Sequence, residues 1–341
     1  MPKTSIEWTD YSWPVVNGCR RKSAGCGTGR AGGCYAERLA ATRLKHNDRY
    51  RGLAVMTEKG PQWTGEYRLV EKELTVPLRI RKPSRIFVAD MGDLFYEAVP
   101  FEVIDRVFAV MLMATRHTYQ ILTKRPERMA EYIRAHRIVE INEAARRIRT
   151  ERGERGGPVL SPSGHPWGGR VPWWLGTSVE DQDTADERIP HLLSAWLAPL
   201  FGPVPWVSYE PALGGVDFRA YVSCGLGKCR ELREVGGDRC CPACGWSEED
   251  QRTAPKLRWI VCGGESGPGA RPFDLVWARV AIKHCAAASV PVFFKQAGAR
   301  PRDSDRGYFP ASEVRLRSRK GADLSELPPD LHVREYPEMP C

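Results

Sequence analysis

Three cysteines carry the most chemistry in this chain: Cys19, Cys26 and Cys34, separated by six and seven residues. They lie on one short stretch with glycines at Gly18, Gly25, Gly27, Gly29, Gly32 and Gly33. An apolar, β-rich run precedes the stretch, and the helix-like Tyr35-Ala36-Glu37-Arg38-Leu39-Ala40 follows it. Three thiolates on one loop can hold three irons of a [4Fe–4S] cube. The fourth iron then keeps an open position for a small ligand, as catalytic metal sites do. Glycine, lacking a Cβ, lets backbone fold closely around such a core. A three-cysteine zinc site and free thiols are the alternatives. A second group, Cys224-x4-Cys229 followed by Cys240-Cys241-Pro242-Ala243-Cys244-Gly245, has the spacing of a four-thiolate zinc knuckle. Cys224, Cys229, Cys241 and Cys244 are the better-spaced set, and a second iron–sulfur cluster is the competing reading. The surrounding segment has few apolar residues, so a metal would staple it. Cys262, Cys285 and Cys341 stand alone, and the first two read as small buried hydrophobes.

The cysteine count is eleven, an odd number, and the start of the chain, Met1 to Trp8, has no apolar signal core. A cytoplasmic location is therefore expected, where thiols serve as metal ligands or buried side chains rather than disulfides. No apolar run approaches the roughly 18 residues that span a bilayer, so no membrane partner is expected. Hydrophobic residues at 42% and charged residues at 27% of 341 describe an ordinary globular protein. The net charge of +9 is local, concentrated at Arg20-Arg21-Lys22, Arg79 to Arg85, Arg146 to Arg155 and Arg300 to Lys320. Such patches are either phosphate footprints or solvated helix faces.

To position the cysteines the chain offers a repeating pattern. Short β-rich runs occur at Ile6 to Val16, Arg85 to Asp90, Thr118 to Thr123, Trp173 to Val179, Trp206 to Tyr209, Leu257 to Cys262 and Val290 to Phe294. Helical spacing fills most gaps, at Phe101 to Thr115, Glu127 to His136, Asp183 to Leu200 and Trp277 to Ala287. Strand alternating with helix predicts an α/β fold, a parallel β/α barrel of TIM type, full or partial. Nearly every strand ends in a polar cluster: Asp90 with Asp93, Thr123-Lys124-Arg125, Ser178 with Glu180, Ser208 with Glu210, Gly263-Gly264-Glu265-Ser266, and Lys295-Gln296. Parallel strands bring their C-terminal ends to one rim, where barrel enzymes react. Helix capping by carboxylates would account for one or two such ends, not six. The expected organisation is a barrel over 1–300 with an iron–sulfur loop at 17–37. Insertions are expected at 138–171 and, cysteine-rich and zinc-like, at 219–256, with a C-terminal extension at 301–341 packing on the barrel.

The chain also resembles a known group. Ile6-Glu-Trp-Thr-Asp10, Asn17-Gly-Cys19, Gly33-Cys34-Tyr-Ala-Glu37-Arg38, Asp93-Leu-Phe95, Leu122-Thr-Lys-Arg-Pro-Glu-Arg128 and Gly263-Gly-Glu-Ser-Gly-Pro-Gly-Ala-Arg-Pro272 are similar to the uncharacterised three-Cys-motif phage protein family, a domain of unknown function first named from mycobacteriophage genes. Phe294-Lys295-Gln296 and Glu335-Tyr-Pro-Glu-Met-Pro340 match it too. The spacing differs, since that family sets its last two cysteines two residues apart. The resemblance implies a radical S-adenosylmethionine (SAM) enzyme, in which a [4Fe–4S] cluster and SAM supply a 5′-deoxyadenosyl radical and an electron donor such as flavodoxin or ferredoxin supplies the reducing equivalent. It would place Asp90 and Asp93 at the methionine amine, Tyr35 against the adenine, and Ser178 with Glu180 at the ribose. Glu210 and Glu265 offer further rim carboxylates, and the Gly263-Gly264 backbone could approach the ligand closely. Lys124, Arg125, Lys295 and Gln296 are the catalytic candidates, facing an anionic substrate. The expected function is modification or repair of a nucleic acid or nucleotide, with DNA or RNA met through the basic patches. The alternative is a non-radical nucleic-acid-binding or nuclease-like protein with structural iron–sulfur and zinc sites, using some of its 11 Trp to stack on bases.

Overall fold

The computed structural model describes residues 3–27, 33–195, 198, 200–222, 233–235, 238–240, 255–305 and 312–338. Cys224, Cys229, Cys241 and Cys244 lie outside the described residues. All seven strands expected from sequence are present: β1 (Tyr11–Trp13), β2 (Arg85–Val88), β3 (Thr118–Thr123), β4 (Trp173–Val179), β5 (Trp206–Tyr209), β6 (Trp259–Gly263) and β7 (Val292–Gln296). They form one seven-stranded sheet in the order of the chain. The ladders β1–β2, β2–β3, β5–β6 and β6–β7 are parallel. The order has two ends, so the topology is that of a partial rather than a closed β/α barrel. Helices α1 (Tyr35–Ala41), α2 (Phe101–Met113), α3 (Pro126–Arg134), α4 (Ile138–Glu151), α5 (Gln182–Leu193) and α6 (Leu275–Ala287) lie between the strands.

The first run is shorter than its composition suggests. Pro14 has no N–H to give a ladder, so β1 stops at Trp13. Val16–Asn17 instead pairs antiparallel with Arg68–Leu69. By contacts the chain forms two compact units, Met1–Gly176 with Leu197–Pro203, and Thr177–Trp196 with Val204–Cys341.

The four strand tryptophans Trp13, Trp173, Trp206 and Trp259 are wholly buried. An indole N–H buried without an acceptor is costly. Trp13 donates to the Glu73 carbonyl at 2.8 Å, Trp173 to that of Leu200 at 2.9 Å and Trp259 to that of Glu335 at 3.0 Å. These rings are core and are not available to stack on bases. The Glu335 contact, with the Phe294 N–H bonded to the Val333 carbonyl, ties the C-terminal segment onto β6 and β7. Cys262 and Cys285 are fully buried thiols, as expected of small hydrophobes. Among the described residues no helix is long and apolar enough to cross a membrane.

Candidate functional site

In the first unit the cysteine loop leaves β1 through Gly18. Its φ of +92° suits glycine, and a Cβ there would run into the Glu66 carbonyl. Cys26 sits in a short turn, and its carbonyl accepts the Cys34 N–H at 3.1 Å. Cys34 then begins α1 as its N-cap. Cys19 and Cys34 pack against one apolar cluster that includes Ala36, Ala40, Leu53, Trp63 and Met91. The loop is fastened on both sides. Arg21 clasps the buried Glu37 of α1 at 2.7 Å, and Glu37 also accepts the Trp63 N–H at 2.7 Å. Lys22 meets Glu127 at 3.1 Å.

The end of β3 supplies the group that faces the loop. Arg125 is 2% exposed, and its Nη1 reaches Cys19 Sγ at 3.7 Å and Asp93 Oδ2 at 3.1 Å. Its Nη2 donates to the Arg20 carbonyl at 3.0 Å, and its Nε to Glu97 at 2.8 Å. Asp93 also accepts from the Phe95 N–H at 3.0 Å, the Thr123 hydroxyl at 2.7 Å and the Lys124 N–H at 3.1 Å. The Asp93 carboxylate is saturated by its own chain, so it positions Arg125 and has no lone pair left for an amine. Arg125 faces sulfur rather than open solvent. Burial drives the Cys19 thiol far above its ordinary range, Asp93 adds to this, and Arg125 opposes it. Burial likewise raises Cys34, against the helix N–H of Glu37.

Three thiols on one loop are the kind of donor set that three irons of a [4Fe–4S] cluster would take. Cys26 Sγ accepts the Lys22 N–H at 3.5 Å and Cys19 Sγ the Arg125 guanidinium, the kind of N–H···S contact that tunes iron–sulfur centres. Among the described residues no three His, Cys, Asp or Glu side chains converge on a point fit for a single ion. Tyr35 is 44% exposed, and its hydroxyl donates to the Asp90 carbonyl. Lys124 Nζ points to the Ser23 hydroxyl at 3.5 Å.

Asp90, just past β2, has one buried oxygen, Oδ1, without a hydrogen-bond partner. Burial raises its carboxyl to about 6; the Glu73 carboxylate contributes, while the Ser12 hydroxyl and its own backbone N–H pull the other way. A carboxyl whose folded value exceeds its unfolded one stabilises fully below the unfolded value and loses that contribution as pH rises through the folded one. Stability should therefore fall between about pH 4 and pH 6 by on the order of 2 kcal/mol, and Asp90→Asn should remove that fall. Urea unfolding of both proteins at pH 4.5 and pH 7 checks this; parallel pH dependences would refute it.

In the second unit the strand-end groups are mostly turned inward. Glu180 is fully buried, and its two oxygens meet Arg188 at 3.3 and 3.2 Å, while the Ser178 carbonyl takes the same Nη1 at 2.8 Å. That pair engages the Glu180 carboxylate within the protein. Glu265 is held by the Arg271 backbone and side chain at 3.0 and 2.9 Å. Gln296 braces the Gly264 carbonyl at 2.9 Å. A Cβ on Gly264 would lie 2.5 Å from the Ala297 carbonyl oxygen, so the close approach there is the chain's own. A Cβ on Gly263 would meet Glu210 Oε1 at 3.0 Å. Lys295 and Glu210 form a partly exposed ion pair at 2.9 Å, with Ser208 on the second carboxylate oxygen at 3.2 Å.

The bracing roles of Glu37 and Arg21, and the buried Arg188, were not read from sequence. Glu37 has a local signal, an acid in the first turn of a helix. Its partner 16 residues away has none. In the basic run at the end of α4 and just beyond it, Arg146 and Arg147 pair with Glu143 and Arg152 with Glu154.

Fold and loop together define an α/β protein built on an open, seven-stranded parallel sheet with a cysteine loop after its first strand. A family model described as "Protein of unknown function (DUF5131)" matches residues 3–328, and the chain belongs to that family. No curated protein and no solved structure matches it.

Proposed function

We propose that this chain is a radical-SAM-type iron–sulfur enzyme, akin to the three-Cys-motif phage group, that modifies a nucleic acid or nucleotide. The observation that carries the reading is the Cys19–Arg125–Asp93 contact beside Cys26 and Cys34, all at the C-terminal ends of β1 to β3. Cys19, Cys26 and Cys34 would hold a [4Fe–4S] cluster, which when bound supplies the electron that cleaves the sulfonium C–S bond of SAM. Arg125 offsets the negative charge of three thiolates and shields Cys19 from water. Asp93 fixes the guanidinium, and the apolar cluster behind Cys19 and Cys34 excludes solvent. Asp90, whose Oδ1 has no partner within the protein, would be the carboxylate to meet a cofactor ammonium. Cys224, Cys229, Cys241 and Cys244 would hold a structural zinc.

The test is anaerobic reconstitution with iron and sulfide, then assay for 5′-deoxyadenosine formed from SAM under a strong reductant. Formation that disappears in Cys26→Ala supports the reading. A fully loaded, reducible cluster that yields none refutes the SAM assignment.

A further inference from the structure

Outside the cysteine loop, one small cleft in the second unit combines room with charge and lacks an internal explanation. It measures about 150 Å³ and is lined by Pro272, Arg300, Arg302 and Glu313. Roughly 10–15 Å³ of such space already admits a water, so a tetrahedral oxyanion fits. Arg302 lies in the strand Pro301–Asp303, the middle strand of a three-stranded sheet. The strand is parallel to Phe273–Asp274 on one side and antiparallel to Ser312–Glu313 on the other. The middle strand holds Arg302 rigidly, whereas Arg300 just before it is exposed.

Arg300 and Arg302 line the same cleft, and their like charges repel there unless an anion or carboxylate offsets them. The nearest acid in sequence, Asp303, is engaged elsewhere, with both oxygens on Arg279 at 2.8 and 3.1 Å. Arg302 Nε is buried and has no hydrogen-bond partner. Arg302 thus has hydrogen-bonding capacity that its own chain does not use, and its side chain lines the cleft. Glu313 stands opposite Arg302 in register. Among the described residues the pair does not close to an ion pair.

We infer that this cleft is an oxyanion site for a phosphate group, with Arg302 as the fixed donor and Arg300 as the mobile one. The planar fork of arginine matches two phosphate oxygens at once. Glu313 tempers the affinity, so that phosphate is held without being trapped. The inference deepens the proposed function, by naming a contact to a phosphate-bearing substrate, and rests on that reading only for what carries the phosphate.

The test is calorimetry on the full chain with inorganic phosphate, and with a short single-stranded oligonucleotide with and without a 5′-phosphate. The double variant Arg300→Ala/Arg302→Ala should weaken phosphate binding by about tenfold or more. Arg302→Lys should lose less, and Glu313→Gln should tighten binding several-fold because it removes a repelling charge. Oligonucleotide binding that falls in parallel identifies a nucleic-acid phosphate; phosphate binding alone identifies a free anion, and both support the site. Phosphate affinity within about twofold of the parent in the double variant overturns it. So does Glu313→Gln that lowers stability and leaves affinity unchanged, since Glu313 would then be a cross-strand brace. These readings need no cluster and no SAM, so their failure is separate from failure of the radical assay.

Discussion

Anaerobically purified protein should be brown and carry about four irons per chain in the cysteine loop, with a reduced-state spectrum that changes when SAM is added. Replacing Cys19, Cys26 or Cys34 by Ala should abolish that spectrum and release the loop iron. The expected effect is all or none, because a cube with two protein ligands has two irons open to exchange and chelation. Cys262→Ala serves as the comparison: its thiol is buried in the core, so the iron content should not change. Iron counted together with electron paramagnetic resonance makes the decision. Full cluster content in the triple loop variant would sink the assignment.

Arg125→Met should produce the largest loss of stability of any single change near the loop. Its side chain and that of Asp93 are 3% and 7% exposed, and removing one partner of a buried pair leaves the other charge uncompensated. The expected cost is about 3–5 kcal/mol, read as a lowered denaturation midpoint. Asp93→Asn combined with Arg125→Met should recover a good part of it, because the double change removes both charges. A second readout addresses chemistry rather than folding. Arg125→Lys keeps the charge but loses the fork, and Arg125→Met loses both, so the cluster potential should become more negative from parent to Lys to Met. A drop of about 60 mV corresponds to a tenfold change in a one-electron equilibrium. Potentials that are equal in all three would leave Arg125 a purely structural residue.

Much of the fold was legible because hydrophobic periodicity is local. The run Trp173–Val179 has no charged residue and opens on Trp173-Trp174-Leu175 with no alternation of apolar and polar, as a strand covered on both faces requires, and all seven of its residues are buried. The same reasoning located β2, β3 and β5, and the heptad-like apolar face of Phe101–Met113 located α2. The three cysteines and their glycine-rich setting are equally local, and so was the expectation that a thiol-rich loop follows the first strand. What the one-dimensional pattern could not decide was the direction of each strand-end polar group. Asp93, Glu180 and Glu265 have the same residue chemistry as Asp90, yet three of them meet Arg125, Arg188 and Arg271 and are closed. Asp90 keeps an oxygen without a partner. A buried carboxylate must be paired or neutral, and which arginine reaches it is set by packing across 6 to 32 residues of chain. The sequence therefore determined where polar groups gather, at the ends of parallel strands. Only the tertiary structure decided which of them are engaged within the protein and which remain able to bind, because pairing in a low-dielectric interior depends on distance in space rather than distance along the chain.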